Sequence, residues 1–527
     1  MTTVEITGKT LTIEEVCAVA NDGATVQSLS RKTKEHMGIT QEWLEQAIQK
    51  QDTVFYGINT GFGSHANETI DPGQAGQLSR NVILADVAGI GKPLPEEIVR
   101  AMMVIRANTI AGGPSGIRPV VVETLIEMLN KGVTPYVPEK GSLGASGDLV
   151  PLAAIAVVAT CDADGGGYSG KAWYGGELMS GDEAMRKAGI PRLKLIAKEG
   201  NSLINGTAFM AAVGCLAIER CEKLIRHAEV VTALTLEAML AASAAYHPAL
   251  HKASNQAGQI SVAQNIRALF QGSLLIESAQ RVQDAYCLRC VPQVMGPVMD
   301  TVAFARGYIK RTLNAGIDNP LIFESDGEDP FICISGGNFH GQGLAFMMDF
   351  LSIAMSEVAN ISDRRSFALL TPALNHGLPS MLIPANGLNT GLMVAQYAGA
   401  ALVSDNKTLA HPDSVDSIPT SADQEDHVSM GANGARHLWE ILENVTHVIA
   451  VEFLCAAQAI DLRKNGPKHL GKGSKIAHTV IRNYVDIYHQ DKEMSPDISR
   501  LAELIKREEI LEAIASGVHN RINESTY

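Results

Sequence analysis

The alternation of apolar and polar positions changes texture near residue 203. Before it, short helical patterns are broken by Gly-rich turns: YGINTGFG (Tyr56 to Gly63), GGPSG (Gly112 to Gly116) and GSLGASG (Gly141 to Gly147), so loops are expected to dominate residues 1–202. From Leu203 the chain turns to long segments rich in Ala, Leu, Glu and Met. Leu216 to Tyr246 runs without Gly or Pro until His247-Pro248 stops it, and similar stretches occupy Gly343 to Leu370 and Ala435 to Leu462. Each is about twice the mean helix length of ~11–12 residues, which predicts a bundle of long, nearly parallel or antiparallel helices over residues 203–480. Their polar faces carry few charges. Helices of that kind bury most of their sides, which an oligomer arranges more readily than a monomer. Strand patterns are confined to short pieces, Leu321 to Phe323 and Phe331 to Ile334, predicting a hairpin around Ser325 to Asp329. The tail, residues 481–527, is charged and helical in pattern and reads as peripheral packing. The fold class expected is mainly α.

Composition narrows the function classes. The 527 residues carry 43 Lys+Arg against 57 Asp+Glu, a net charge of -14, which argues against a large nucleic-acid or anionic-membrane footprint. With 46% apolar and 19% charged residues the chain is too hydrophobic for disorder over most of its length. Apolar runs are punctuated by Asp, Glu, Lys or His short of the roughly 18–20 residues a membrane span needs. Eight Cys lie at irregular intervals, and Met1 to Ala20 lacks the apolar stretch of a signal peptide, so a reducing cytoplasm is expected. Cys287 and Cys290 have redox or half-zinc spacing but no second pair accompanies them, and the scattered His give no ligand pattern; no metal is expected.

Four segments carry candidate chemistry. Ala145-Ser146-Gly147 lies in GSLGASGDLVPLA; such residues ordinarily make a turn. In a tight bend they offer a second outcome: the Gly147 nitrogen attacks the Ala145 carbonyl carbon, and dehydration of Ser146 leaves a methylidene-imidazolone electrophile. Tyr56, in FYGINTGFG, is either a packing residue or, on a loop that closes over a site, a general base. Gln283, Tyr286 and Arg289 recur at spacings of three in QDAYCLRCVPQVMG, predicting one helical face on which Arg289 either grips a substrate carboxylate or makes an interhelical ion pair. Glu425 sits among Asp423, Asp426 and His427, a run that suits a solvated face or, after Pro419-Thr420-Ser421, the first turn of a helix.

Together these motifs resemble the ammonia-lyase and aminomutase family that builds the methylidene-imidazolone (MIO) group. The resemblance extends from LTIEEV through YGINTGFG, GSLGASGDLVPLA, INGT, QDAYCLRCVPQVMG, DNPL, SGGNFHG and SDNKTLAHP to VDSIPTSADQEDHVSMG. It implies that Ala145, Ser146 and Gly147 cyclise, that Tyr56 removes the β-proton, and that Asn205 and Gln283 contact the electrophile or the amine. Tyr286, Arg289, Asn319 and Phe339 are likewise implied in the site, with Arg289 on the carboxylate. The implied assembly is a homotetramer with active sites shared between subunits and positive helix ends beneath the ring. The substrate pocket departs from the family pattern. Ala85-Asp86 stands where phenylalanine and tyrosine enzymes carry an aromatic or His followed by Leu and histidine enzymes carry Ser-His, and Asn201 replaces a Leu. Glu425 matches the histidine branch. A phenyl ring would leave these polar groups unpaired at about 1–3 kcal/mol each, so the expected reaction is L-histidine to urocanate. Alternatives are a modified histidine, a hydroxylated aromatic, or a 2,3-aminomutase outcome. A non-catalytic helical scaffold is the reading of another class, and a fumarase-type lyase lacks its GSSxMPxKxN run here.

Overall fold

The computed structural model of the chain describes residues 3–50, 53–279, 281–385 and 387–524. Among them lie twenty α-helices and only short strands. The first eight helices are α1 (Ile13–Asn21), α2 (Arg31–Lys50), α3 (Ala75–Asp86), α4 (Glu96–Ala111), α5 (Pro119–Lys131), α6 (Leu149–Ala159), α7 (Gly181–Lys187) and α8 (Glu199–Ile204). There follow α9 (Ala208–Ala238), α10 (Pro248–Ser254), α11 (Ala257–Leu269), α12 (Tyr286–Arg289), α13 (Val291–Thr312) and α14 (Gln342–Leu370). The last six are α15 (Met393–Leu409), α16 (Gly431–Leu462), α17 (Gly466–His469), α18 (Lys472–Tyr484), α19 (Ser495–Lys506) and α20 (Glu509–Glu524).

The helices pack as two compact units, one of Met1–Glu219, Arg306–Asp349 and Pro412–Arg436, the other of Arg220–Ala305, Phe350–His411 and His437–Tyr527. The units interleave along the chain, and α9, α13, α14 and α16 each contribute residues to both.

In the first unit, helices carry more of residues 1–202 than expected: α2 has 20 residues and α4 has 16. Thr12 and Glu15 cap α1 reciprocally, side chain to backbone, so two otherwise idle N–H groups are satisfied. On α5, Val121, Val122, Leu125, Ile126 and Leu129 are buried at helical spacing. All eleven residues of α6 are apolar, and Pro151 to Ala159 are buried, as a helix without a polar face requires. The expected hairpin is present, Leu321 pairing with Ile334 and Glu324 with Phe331. A second hairpin, Lys171–Tyr174 with Glu177–Ser180, turns on Gly175-Gly176 and pairs with Thr134–Pro135; Gly-Gly between two short β-rich runs was its signal.

In the second unit, the predicted helix from Leu216 to Tyr246 is corrected at both ends. It starts at Ala208 and runs through Gly214, and it stops at Ala238, where Leu240 takes φ +54° and Ala242 N donates to Asp284 Oδ2 at 2.7 Å. Ser243–Tyr246 is a separate 3-10 turn. Arg365, fully buried, pairs with Glu452 through Nε at 2.6 Å, and Thr235 and Ser362 supply further hydrogen bonds to that carboxylate. By length and hydropathy α14 and α16 are apolar enough to cross a membrane, contrary to the run-length expectation, yet 67% and 83% of those windows are buried inside the fold.

Candidate active site

Ala145-Ser146-Gly147 forms the bend that leads into α6. Gly144, Ser146 and Gly147 take φ of +85°, +51° and +82°, and Gly147 N donates back to Gly144 O at 3.3 Å. Three hydrogen bonds to its backbone hold the bend. Met430 N donates to Leu143 O at 2.9 Å, Asp148 N to Gly206 O at 2.7 Å, and Asn205 Nδ2 to Ser146 O at 3.0 Å. Gly147 pairs with Gly206 in a parallel bridge so close that a Cβ on Gly147 would collide with the Gly206 carbonyl; only Gly fits. Two helices begin just past this bridge, α6 at Leu149 and α9 at Ala208, and Asp148 Oδ2 accepts from Phe209 N and Met210 N at 2.9 and 3.0 Å. Burial raises the Asp148 carboxyl to about 7.

Ser146 Oγ donates to Glu425 Oε1 at 2.5 Å. Glu425 does not open a helix, as its sequence context suggested. It closes a tight turn in which Thr420 and Glu425 bond backbone to backbone at 3.0 and 3.3 Å and Ser421, Ala422 and Asp423 all take left-handed φ. Thr420 Oγ1 also donates to Glu425 Oε2 at 3.1 Å. The turn meets the Tyr56 loop where Ser64 N donates to Ser421 Oγ at 3.3 Å. Tyr56 Oη accepts from Gly63 N at 3.1 Å, and the ring stands edge-on to Phe62, centroids 6.3 Å apart. Asn59 ties the base of the loop, accepting from Phe55 N at 2.6 Å and donating to Thr53 O at 2.9 Å.

Tyr56, Ser146, Asn205, Asp86, Asn201, Asn319, Phe339 and Glu425 line one cavity of about 420 Å³, so eight of the expected residues, from distant parts of the chain, meet there. Asp86 ends α3; burial, and then the Glu425 charge, push its carboxyl up to about 6. Asn201 on α8 donates through Nδ2 to Asn319 O, and Asn319 Oδ1 accepts from Gly336 N at 2.7 Å. Ala85 is exposed and does not line the cavity. Val82 does, since the helical period sets residues 82 and 86 on one face. Gln424, Phe62 and Ile204 also line it; Gln424 was marked only by its neighbour Glu425.

Gln283, Tyr286 and Arg289 lie in the second unit and are not among the lining residues. They share no helical face, because α12 covers only Tyr286–Arg289 and Gln283 precedes it. Arg289 Nε donates to Asp284 O at 2.8 Å, its guanidinium lies 4.5 Å over the Tyr286 ring, and that ring is 70% exposed. The lining residues thus include two carboxylates and no cation.

Chemically the cavity offers a hydroxyl hydrogen-bonded to a carboxylate, a phenol, and, on the lining residue Asn205, a buried Oδ1 with no hydrogen-bond partner among the described residues. The bend at Ser146 and the close approach of Gly206 fit a tripeptide compressed for cyclisation.

Comparison with known proteins places similar sequences and folds along nearly the whole chain. A histidine ammonia-lyase of Treponema denticola is 47% identical over 512 residues, 97% of this chain and 98% of that protein. The tyrosine aminomutase of Streptomyces globisporus superposes with a TM-score of 0.90 at 35% identity, covering 98% of both chains. The histidine ammonia-lyase of Trypanosoma cruzi does so with 0.88 at 35% identity over 98% of this chain and 95% of that one. The aromatic amino acid lyase family model matches residues 11–483. On that match and that identity along nearly its whole length, the chain belongs to the aromatic amino acid lyase family.

Proposed function

We propose that this protein is an ammonia-lyase that converts L-histidine to urocanate and ammonia. The observation that carries the substrate is the pair of carboxylates, Asp86 and Glu425, in the cavity that also holds Ser146 and Tyr56. A histidine ring can donate an N–H to one of these carboxylates, whereas a phenyl ring offers no donor to either. The histidine ammonia-lyases among the relatives support the same choice.

The group the family implies fits the residues present: Ala145, Ser146 and Gly147 lie in the required order and bend, with Gly147 pressed on Gly206. Once cyclised, they supply an electrophile that takes up the substrate amine and makes it a better leaving group. Asn205, whose Nδ2 holds the Ser146 carbonyl, keeps that carbonyl in place while its Oδ1 stays free for the amine. Tyr56 takes the β-proton on its phenolic oxygen. The N-termini of α6 and α9 add positive potential where negative charge develops. Glu425 and Asp86 hold the ring, and Phe339 and Ile204 supply apolar wall.

A substrate carboxylate needs a cation, and the cavity lining has none. Arg289, beside the exposed Tyr286 and Gln283, supplies it from another copy of the chain in a homotetramer. Eight free thiols, five of them buried, suit the cytoplasm.

The test is an assay for urocanate together with the intact mass of the chain. Wild type is expected to weigh two waters less than its sequence and to form urocanate from histidine. Ser146→Ala is expected to retain both waters and lose nearly all turnover. Tyr56→Phe is expected to lose the waters normally but to drop kcat by about 10²–10⁴. A dehydrated chain that forms no urocanate from histidine sinks the substrate; a β-amino acid product would make the protein an aminomutase.

A further inference from the structure

One buried cation beneath the tripeptide has no part in the reaction described above. Arg106, on α4, is 2% exposed, and its Nη2 donates to Ser202 O, while Nε and Nη1 find no acceptor among the described residues. Asp318, the carboxylate whose charge it feels, is already held by Lys198 Nζ at 2.7 Å, Ser202 Oγ at 2.8 Å and Ser115 Oγ at 3.0 Å. A buried guanidinium with two nitrogens left without acceptors destabilises a fold, so packing alone does not account for it.

Gly206 stands between this guanidinium and the tripeptide. A Cβ on Gly206 would strike Arg106 Nη1, and a Cβ on Gly147 would strike the Gly206 carbonyl. Gly206 is therefore in close contact with both Arg106 and Gly147, and its segment is bonded to the bend through Asn205 Nδ2 to Ser146 O and Asp148 N to Gly206 O.

We propose that Arg106 is a positioning residue for ring closure: its guanidinium backs the Asn205-Gly206 backbone, which holds Gly147 in the bend where its nitrogen reaches the Ala145 carbonyl carbon. This rests on the reading that Ala145-Ser146-Gly147 cyclises. Closure forms the bond from Gly147 N to Ala145 C. The Ala145 oxygen leaves as water with the amide hydrogens of Gly147 and Ser146, and Ser146 Oγ leaves as a second water with its own hydrogen and the Cα hydrogen. No oxidant or further reactant is required. Arg106 touches none of these bonds; it acts by preventing recoil of the backbone behind them, and closure rates are steep in such placement.

The experiment is cell-free synthesis of the full chain with intact mass followed over time and thermal melting recorded for each variant. Arg106→Lys is expected to lose the two waters about a hundredfold more slowly than wild type. Arg80→Lys is the control for loss of a buried arginine: Arg80 is also 2% exposed, but its acceptors are Asp162, Thr160 and the Tyr168 carbonyl, none of them in the bend or the Asn205-Gly206 segment. It is expected to mature at the wild-type rate. Gly206→Ala, which enters the same contact from the other side, is expected to be slow. Wild-type speed in Arg106→Lys or Gly206→Ala, equal slowing in Arg80→Lys, or an Arg106→Lys chain already melted at the synthesis temperature overturns the proposal. A wild-type chain that keeps both waters overturns instead the reading beneath it.

Discussion

Asp86 ties ring recognition to pH. Its carboxyl is raised from 3.8 to about 6 by burial and by Glu425, so it ionises within the range where an enzyme works. Above about 6 it is a charged acceptor for a ring N–H; below, it is a neutral acid facing Glu425. The kcat/KM for histidine is therefore expected to exceed that of Asp86→Asn by a margin that grows as pH rises through about 6, and that closes below it. A ratio of the two rates that stays flat from pH 5 to pH 8 would remove Asp86 from the ring contact. At this scale Tyr56, Ser146 and Glu425 stood out in the sequence by residue type and local context, whereas Asp86, Asn201, Asn205, Asn319 and Phe339 entered only through the family resemblance; the cavity they line brings all eight together. Their directions were not legible in the sequence. Ala85 and Asp86 are neighbours in sequence, and the helical period turns one to solvent and the other, with Val82, into the cavity.

Asp148 shows how a single side chain joins two elements. It precedes α6, and its Oδ2 caps α9 by accepting from Phe209 N and Met210 N, which fixes the start of a 31-residue helix beside the tripeptide. Asp148→Ala removes that cap and is expected to cost about 1–2 kcal/mol in unfolding by denaturant. Because burial raises this carboxyl from 3.8 to about 7, the folded state binds its proton more tightly than the unfolded chain does. Its contribution to stability is thus complete below 3.8 and lost as pH rises through about 7. Asp148→Asn, which keeps an acceptor and has no proton to lose, is expected to show a flatter fall in Tm between about pH 5 and 8 than wild type. An identical slope in both would mean that Asp148 does not titrate in that window. The long helices themselves were legible from their periodicity, α14 and α16 to within a few residues. The end of α9 was not, since Asp284, far along the chain, supplies the side chain that bonds Ala242 N beyond it.

For the whole molecule, the proposed sharing of sites between copies makes a prediction that no single chain can meet. Tyr56→Phe and Arg289→Met are each expected to be nearly inactive. Co-expressed in equal amounts, they should recover about a quarter of wild-type activity, because a site that takes Tyr56 from one copy and Arg289 from another finds both intact in that share of random assemblies. No recovery in mixed oligomers would place the two residues in one copy. The sequence by itself determined the helical class, the chemical repertoire and the bend-prone Ala145-Ser146-Gly147, since periodicity, residue type and local backbone preference are properties of neighbours along the chain. Only the tertiary structure decided that Glu425 meets a serine 279 residues away, that Gly206 and Arg106 stand behind Gly147, and that the cavity has carboxylates without a cation. Those facts depend on which distant segments pack together, and packing is set by the shapes and unpaired groups of whole elements, which no local pattern encodes.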